Sequence, residues 1–272
     1  MINSIISAFG YPFFLRALLV GGLVSVCAAL LGVSLVLKRY SMIGDGLSHV
    51  GFGASAIAVA VGVAPLFVAV PVVVIAAFLL LRIKKSSRIK GDAAIALVSS
   101  SALAIGYAVA KLSRGGNIDI SNYMFGSIYT LDFTDTAVSV ILAAAVIFIY
   151  SVYYNKLFSV TFDEDFAAAT GVKTEFLNTL LACLTAVTVV VGMRMMGALL
   201  ISALILFPVL SATRVSRSYA STVKISVITA ICSFVIGLVI SVILQISPGS
   251  GVVIANLAVF CIFFAVGKIF NK

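Results

Sequence analysis

Charge is scarce in this chain. Only 10% of its 272 residues are Asp, Glu, Lys or Arg, and 62% are hydrophobic. A soluble domain carries about a quarter of its residues charged to cover its surface. With a mean hydropathy of +1.26, too few polar side chains remain to face water, which excludes a soluble enzyme and makes lipid the solvent. Strict polar/apolar alternation over short segments is also missing, which excludes a transmembrane β-barrel. There is no C-x-x-C pair; Cys27, Cys183, Cys232 and Cys261 each stand alone in an apolar run, so packing is their expected role. A G-x-x-x-x-G-K-[ST] segment is absent, so the chain has no P-loop with which to hydrolyse ATP. The first apolar run begins after Pro12, has no cationic segment before it and is too long for an h-region, so no cleavable signal peptide is expected. No internal repeat or separate soluble domain is evident, and residues 1–272 are read as one transmembrane domain.

What the chain has is long apolar runs. A helix crossing ~30 Å of hydrocarbon needs roughly 20 apolar residues, and lipid offers the backbone no hydrogen-bond partner, so helices are the expected form. Candidate spans lie at 13–37, 42–64, 66–83, 92–112, 135–154, 175–193, 196–213, 222–245 and 250–267. The second is rich in Gly and Ser and carries charge, and the seventh contains Pro208, which is expected to end or kink its helix. The fold expected is therefore an all-α polytopic membrane protein of eight or nine crossings, with its longest polar segments at 113–134 and 155–174.

Basic residues orient it. If the run from Arg82 to Lys90 is cytoplasmic, nine alternating spans put 14 of the 18 Lys and Arg on that side. Only Arg16, Lys111, Arg114 and Arg194 fall outside. Cytoplasmic excess of Lys and Arg is the general rule, so the N-terminus is expected outside and the C-terminus in the cytoplasm of a plasma-membrane protein. The net charge of +9 then reflects topology. A nucleic-acid partner is not expected, because the charge is spread over short loops.

An ionisable group at membrane depth costs on the order of 2.5–3.5 kcal/mol even on the gentler scales, so such groups point to function. Eight of the nine acids sit at span ends or in the polar segments; Asp45 does not. It lies in Gly44-Asp45-Gly46-Leu47-Ser48-His49, four residues before the only histidine. Positions i and i+4 share a helix face. A carboxylate and an imidazole there suit Zn²⁺ and accept Mn²⁺. The bland alternative is that the two bond each other or cap a helix end. Met193, Met195 and Met196 flank Arg194; thioethers suit Cu(I), but methionines in an apolar run are more simply packing. A serine nucleophile activated by His49 lacks any nucleophile elbow.

Four stretches carry a family resemblance: RYSMIGDGLSHVGFG (39–53), GDAAIALVSSSALAIG (91–106), NYMFGSI (122–128) with VTFDEDFAAATGV (160–172), and VVVGMRMMGALLISALILFPVLSATRVSRS (189–218). In order and spacing the chain, from about residue 11 to 268, resembles the membrane permease subunits of bacterial ABC importers for zinc and manganese. One departure is Ser211-Ala212-Thr213-Arg214, where that family more often has two alanines before Thr-Ala-Arg. The resemblance implies a type II importer-like fold and no catalysis by the chain itself. It implies a homodimer with the pathway between the copies, a cytoplasmic ATP-binding cassette ATPase, and an extracellular metal-binding lipoprotein or periplasmic binding protein. It implies transported Zn²⁺ or Mn²⁺ with no permanent cofactor, and maps the ion contacts onto Asp45 and His49. The ATPase-coupling segment maps onto roughly 208–219, with Pro208, Ser211, Thr213, Arg214 and Arg217. Two other readings remain: a stand-alone secondary transporter or channel, and an intramembrane metalloenzyme, which would need a third ligand and a base.

Overall fold

In the computed structural model, residues 12–86, 91–113, 124, 126 and 131–270 are described. Eleven α-helices account for nearly all of them. In chain order they are α1 (Pro12–Leu37), α2 (Ile43–Val61), α3 (Pro65–Ser86), α4 (Gly91–Leu112), α5 (Phe133–Val152), α6 (Tyr154–Phe162), α7 (Glu164–Ala169), α8 (Thr174–Met196), α9 (Ala198–Val215), α10 (Tyr219–Leu244) and α11 (Pro248–Phe270). Much of the basic run at 82–90, most of the segment at 113–134 and Lys272 lie outside the described residues or side chains.

Among the described residues, seven helices are long and apolar enough to cross a membrane: α1, α4, α5, α8, α9, α10 and α11. The other two expected spans are helical as well. The first half of α2 holds Gly44, Asp45, Gly46, Ser48 and His49, which dilute its apolar character. α3 is apolar from Pro65 to Leu81 and continues as helix to Ser86.

Two expectations are narrowed. Of the two outcomes expected at Pro208, an ended or a kinked helix, the first is excluded, because α9 runs on to Val215. Membrane helices tolerate proline where neighbours hold both flanking turns, and here Pro208 and Val209 are buried while α1 packs along α9. The segment expected as a polar loop at 155–174 is the two short helices α6 and α7. Asp163 separates them and caps the second, its carboxylate accepting from the Phe166 N–H at 2.9 Å.

Burial sets the arrangement. Of the apolar window of α1, 72% is buried, against 22–28% for α4, α5 and α11. So α1 is the interior helix, packed on α5, α8, α9 and α10, while the others turn Leu97, Ile141, Phe148 and Ile254 outward. Close approach needs small residues: a Cβ at Gly32 would collide with the backbone carbonyl of Ile205 on α9.

Contacts between helix ends gather one face of the bundle. Ser34 near the end of α1, Tyr150 near the end of α5 and Tyr219 at the start of α10 meet through their hydroxyls. Lys38 reaches Asn178 in the second turn of α8, and Gly267 lies against the Arg214 carbonyl. The helix ends expected on the basic side thus come together.

Candidate functional site

α2 begins at Ile43 after a five-residue corner, with Asp45 in its first turn. A carboxylate suits that position because the first-turn N–H groups carry partial positive charge. Buried Ile43 and Leu47 anchor the helix on one side, and α2 packs on α3, α4, α8 and α9. Gly44 meets the side chain of Ile205, midway along α9, and Gly46 meets Ile95 near the start of α4. The glycines on either side of Asp45 therefore let two helices close on it.

His49 Nε2 stands 3.6 Å from Asp45 Oδ1, one turn along the same face. Direct N–H···O bonds fall at about 2.7–3.2 Å, so the two groups face each other without a good hydrogen bond. The side chain of His49 is 14% exposed and that of Asp45 is 35% exposed. Ser48 donates its hydroxyl to the Asp45 carbonyl at 2.8 Å and so turns away from the pair. Among the described residues no group of three or more His, Cys, Asp or Glu converges. Asp45 and His49 thus set one carboxylate and one imidazole side by side.

Asp45 also lines a groove of about 420 Å³ between α2, α9 and α11. Its other walls include Ser41, Met42, Leu199, Ser202, Phe207 and Ser250. The α9 lining ends at Phe207, and the α11 lining comes from that helix's first turns. The carboxylate is thus reached from the half of the bundle where α9 and α11 begin.

The five residues mapped to a coupling segment divide by burial. Pro208 and Ser211 are interior, the serine hydroxyl donating to the Phe207 carbonyl at 2.8 Å. Thr213, Arg214 and Arg217 are exposed. The Arg214 guanidinium lies over the Phe264 ring, 5.1 Å from its centroid. Next to this corner is an aromatic cluster that residue-by-residue reading missed. Tyr219 has Phe158 at 5.2 Å and Tyr154 at 5.4 Å between ring centroids. It ties the α9–α10 corner to α6, whose last residue Phe162 and Phe166 of α7 are each 62% exposed. The i,i+4 spacing of Tyr150, Tyr154, Phe158 and Phe162 was the available signal.

At the opposite end, Asp135 lies at the start of a span, as expected, but is not solvated there. It is buried in the first turn of α5, where its carboxylate accepts from the Asp132 N–H at 3.2 Å and faces Arg194 at 3.6 Å. Met193, Met195 and Met196 are buried, with the Ser139 hydroxyl donating to the Met195 sulfur at 3.2 Å, which is the packing role.

A model of the ABC 3 transport family matches residues 10–267. The chain belongs to the ABC 3 transport family. As a member it is the membrane permease subunit of an ABC-type transporter, and the family's permeases are not enzymes. It is 28% identical over 247 residues to the high-affinity zinc uptake system membrane protein ZnuB of Haemophilus influenzae, covering 90% of this chain and 94% of that protein. It is 26% identical over 254 residues to the manganese import system permease protein ScaB of Streptococcus gordonii, covering 93% and 91%. Among solved structures, PsaBC from Streptococcus pneumoniae in complex with a Fab superposes with a TM-score of 0.85 at 28% identity, over 97% of this chain and 95% of that one.

Proposed function

We propose that this family member forms, as a homodimer, the pathway of an ATP-driven importer of a divalent metal ion, zinc or manganese. The observation that carries the reading is the pair Asp45 and His49, 3.6 Å apart at the start of a polar helix and reached through a groove. The names of the zinc and manganese relatives support the choice of cargo. The whole chain acts as one transmembrane domain in the plasma membrane, N-terminus outside and C-terminus inside. The face bearing Lys38, α6, α7 and the α9–α10 corner is then cytoplasmic.

In this mechanism an extracellular metal-binding lipoprotein, or a periplasmic binding protein, releases the ion at the outer end of the groove. Asp45 and His49 replace part of its hydration shell. Two ligands per copy, completed by water or by the other copy's pair, hold an ion less tightly than a closed four-ligand cage. A transport site must bind well enough to load and weakly enough to release. ATP hydrolysis by a cytoplasmic cassette ATPase then rocks the helices inward. The exposed Thr213, Arg214 and Arg217 are the proposed contact with that ATPase, since a planar guanidinium suits carboxylates on a partner. The exposed Phe162 and Phe166 favour a second reading, in which α6 and α7 make the contact; the shared Tyr219 cluster sets the two elements side by side.

The deciding experiment is uptake of radioactive zinc and manganese into proteoliposomes, with and without ATPase and binding protein. Uptake that needs both supports the reading. Uptake by the permease alone would instead make it a secondary transporter or channel.

A further inference from the structure

The corner between α1 and α2 spans only residues 38–42 and leads straight into the turn that carries Asp45. It is tightly bonded. Arg39 takes the left-handed conformation at φ 63, the Arg39 N–H donates to Val36 at 3.0 Å, and the Tyr40 N–H donates to Leu35 at 2.9 Å. The Tyr40 carbonyl then accepts from the Ile43 N–H at 3.1 Å, joining the corner to the first residue of α2. A segment bonded in this way moves with whatever holds its side chains.

Those side chains are held from the cytoplasmic face. Lys38 Nζ donates to Asn178 Oδ1 at 2.5 Å, and Asn178 Nδ2 donates to Glu164 Oε1 at 2.9 Å. Glu164 is the first residue of α7. Burial, and secondly the charge of Glu164, push the Tyr40 phenol up to about 12, as expected if that carboxylate lies against the corner. α7 therefore faces two ways. Glu164 turns partly inward to the corner, while Asp165 and Phe166 are exposed on its outer side.

We propose that Lys38, Asn178 and Glu164 are positioning residues that deliver movement of α7, driven by a cytoplasmic partner, to the helix bearing Asp45. This rests on the transport reading above and on its second contact, the one made through α6 and α7. The contacts make the route contiguous; an interaction energy between its members is what establishes coupling.

The test uses the permease reconstituted with its ATPase and binding protein, recording ATP hydrolysis and uptake of radioactive zinc and manganese together. Glu164→Ala and Lys38→Met should still allow hydrolysis but lower the ions moved per ATP about fivefold or more. Zinc affinity of the permease in detergent should change by less than about twofold, because neither residue is a proposed ligand. The double variant should fall no further than the worse single one, since both cut one link. Lys38→Arg, which keeps a donor, should recover most of the ratio. If Lys38→Met fails to assemble, Asn178→Leu removes both bonds from within a helix and gives the same readout. Unchanged ions per ATP, fully additive losses, or loss of zinc binding in Glu164→Ala would each overturn the proposal. A wild-type complex that moves neither metal would remove the transport reading itself, before any variant is compared.

Discussion

The hydroxyls of Tyr150 and Tyr219 meet at 2.6 Å, joining the end of α5 to the start of α10, with Ser34 Oγ 3.4 Å from the Tyr219 oxygen. Both tyrosines are buried, so neither oxygen can readily exchange its partner for water. Tyr219→Phe removes the shared bond and should destabilise by about 1–3 kcal/mol, the cost of a buried polar group left unpaired. Tyr219→Ala also empties the ring's place among Tyr154, Phe158 and Phe162 and should cost about 3–5 kcal/mol. Thermal unfolding in detergent should rank wild type above Phe and Phe above Ala. A Phe variant that melts with wild type would assign the cluster's stability to its rings alone.

Asp45→Asn and His49→Ala should each abolish zinc and manganese uptake in the reconstituted system. Both side chains are partly exposed and make no good hydrogen bond to each other; a partly exposed ion pair contributes at most about 1 kcal/mol to stability. The variants should therefore still fold and assemble. Near-normal uptake in both would dismiss the pair as ion ligands and leave it as a helix-start feature.

Arg214→Glu with Arg217→Glu should release the ATPase or uncouple it, without changing zinc binding by the isolated permease. Charge reversal can also disturb insertion, so accessibility labelling within α6 and α7 must accompany it. A parallel pair, Phe162→Ser with Phe166→Ser, tests the neighbouring contact reading. Loss of ATPase co-purification in the phenylalanine pair alone would move the contact to α6 and α7.

Two glycines of α1 should respond oppositely to alanine. A Cβ at Gly32 meets the Ile205 carbonyl, whereas one at Gly22 meets nothing within 4 Å. Gly32→Ala should destabilise by about 1–3 kcal/mol through overpacking. Gly22→Ala should be neutral or stabilising by up to about 1 kcal/mol, because alanine favours the helix. Melting temperatures of the two variants give the comparison directly, and equal values would mean that α1 and α9 can separate at Gly32 without cost.

Much of the architecture could be read in advance, since lipid imposes simple demands. Runs of about twenty apolar residues must be helices, and the expected spans agree with the observed helices to within a few residues at most ends. Asp45 and His49 were visible for the same reason: an acid and a lone histidine at helical spacing stand out in an apolar chain. Which of the two outcomes Pro208 takes was not legible, because proline's local cost is known from its ring and missing N–H, whereas continuation of α9 depends on buried neighbours from other helices. The segment at 155–174 misled because its phenylalanines and alanines are too few for a span, yet enough for two short helices capped by Asp163.

Composition and spacing alone determined that this chain lives in lipid and that it is helical, and they singled out Asp45 and His49 as the candidate pair. Each of these follows from interactions local in sequence or from transfer between water and hydrocarbon. Only the tertiary structure decided that α1 is interior, that Asp45 opens on a groove between α2, α9 and α11, and that Lys38, Asn178 and Glu164 form one hydrogen-bonded chain. Lys38 and Asn178 are separated by 140 positions, and no periodicity within one helix specifies which neighbour its polar residues will meet. That choice is made by how the small residues of one helix admit the backbone of another.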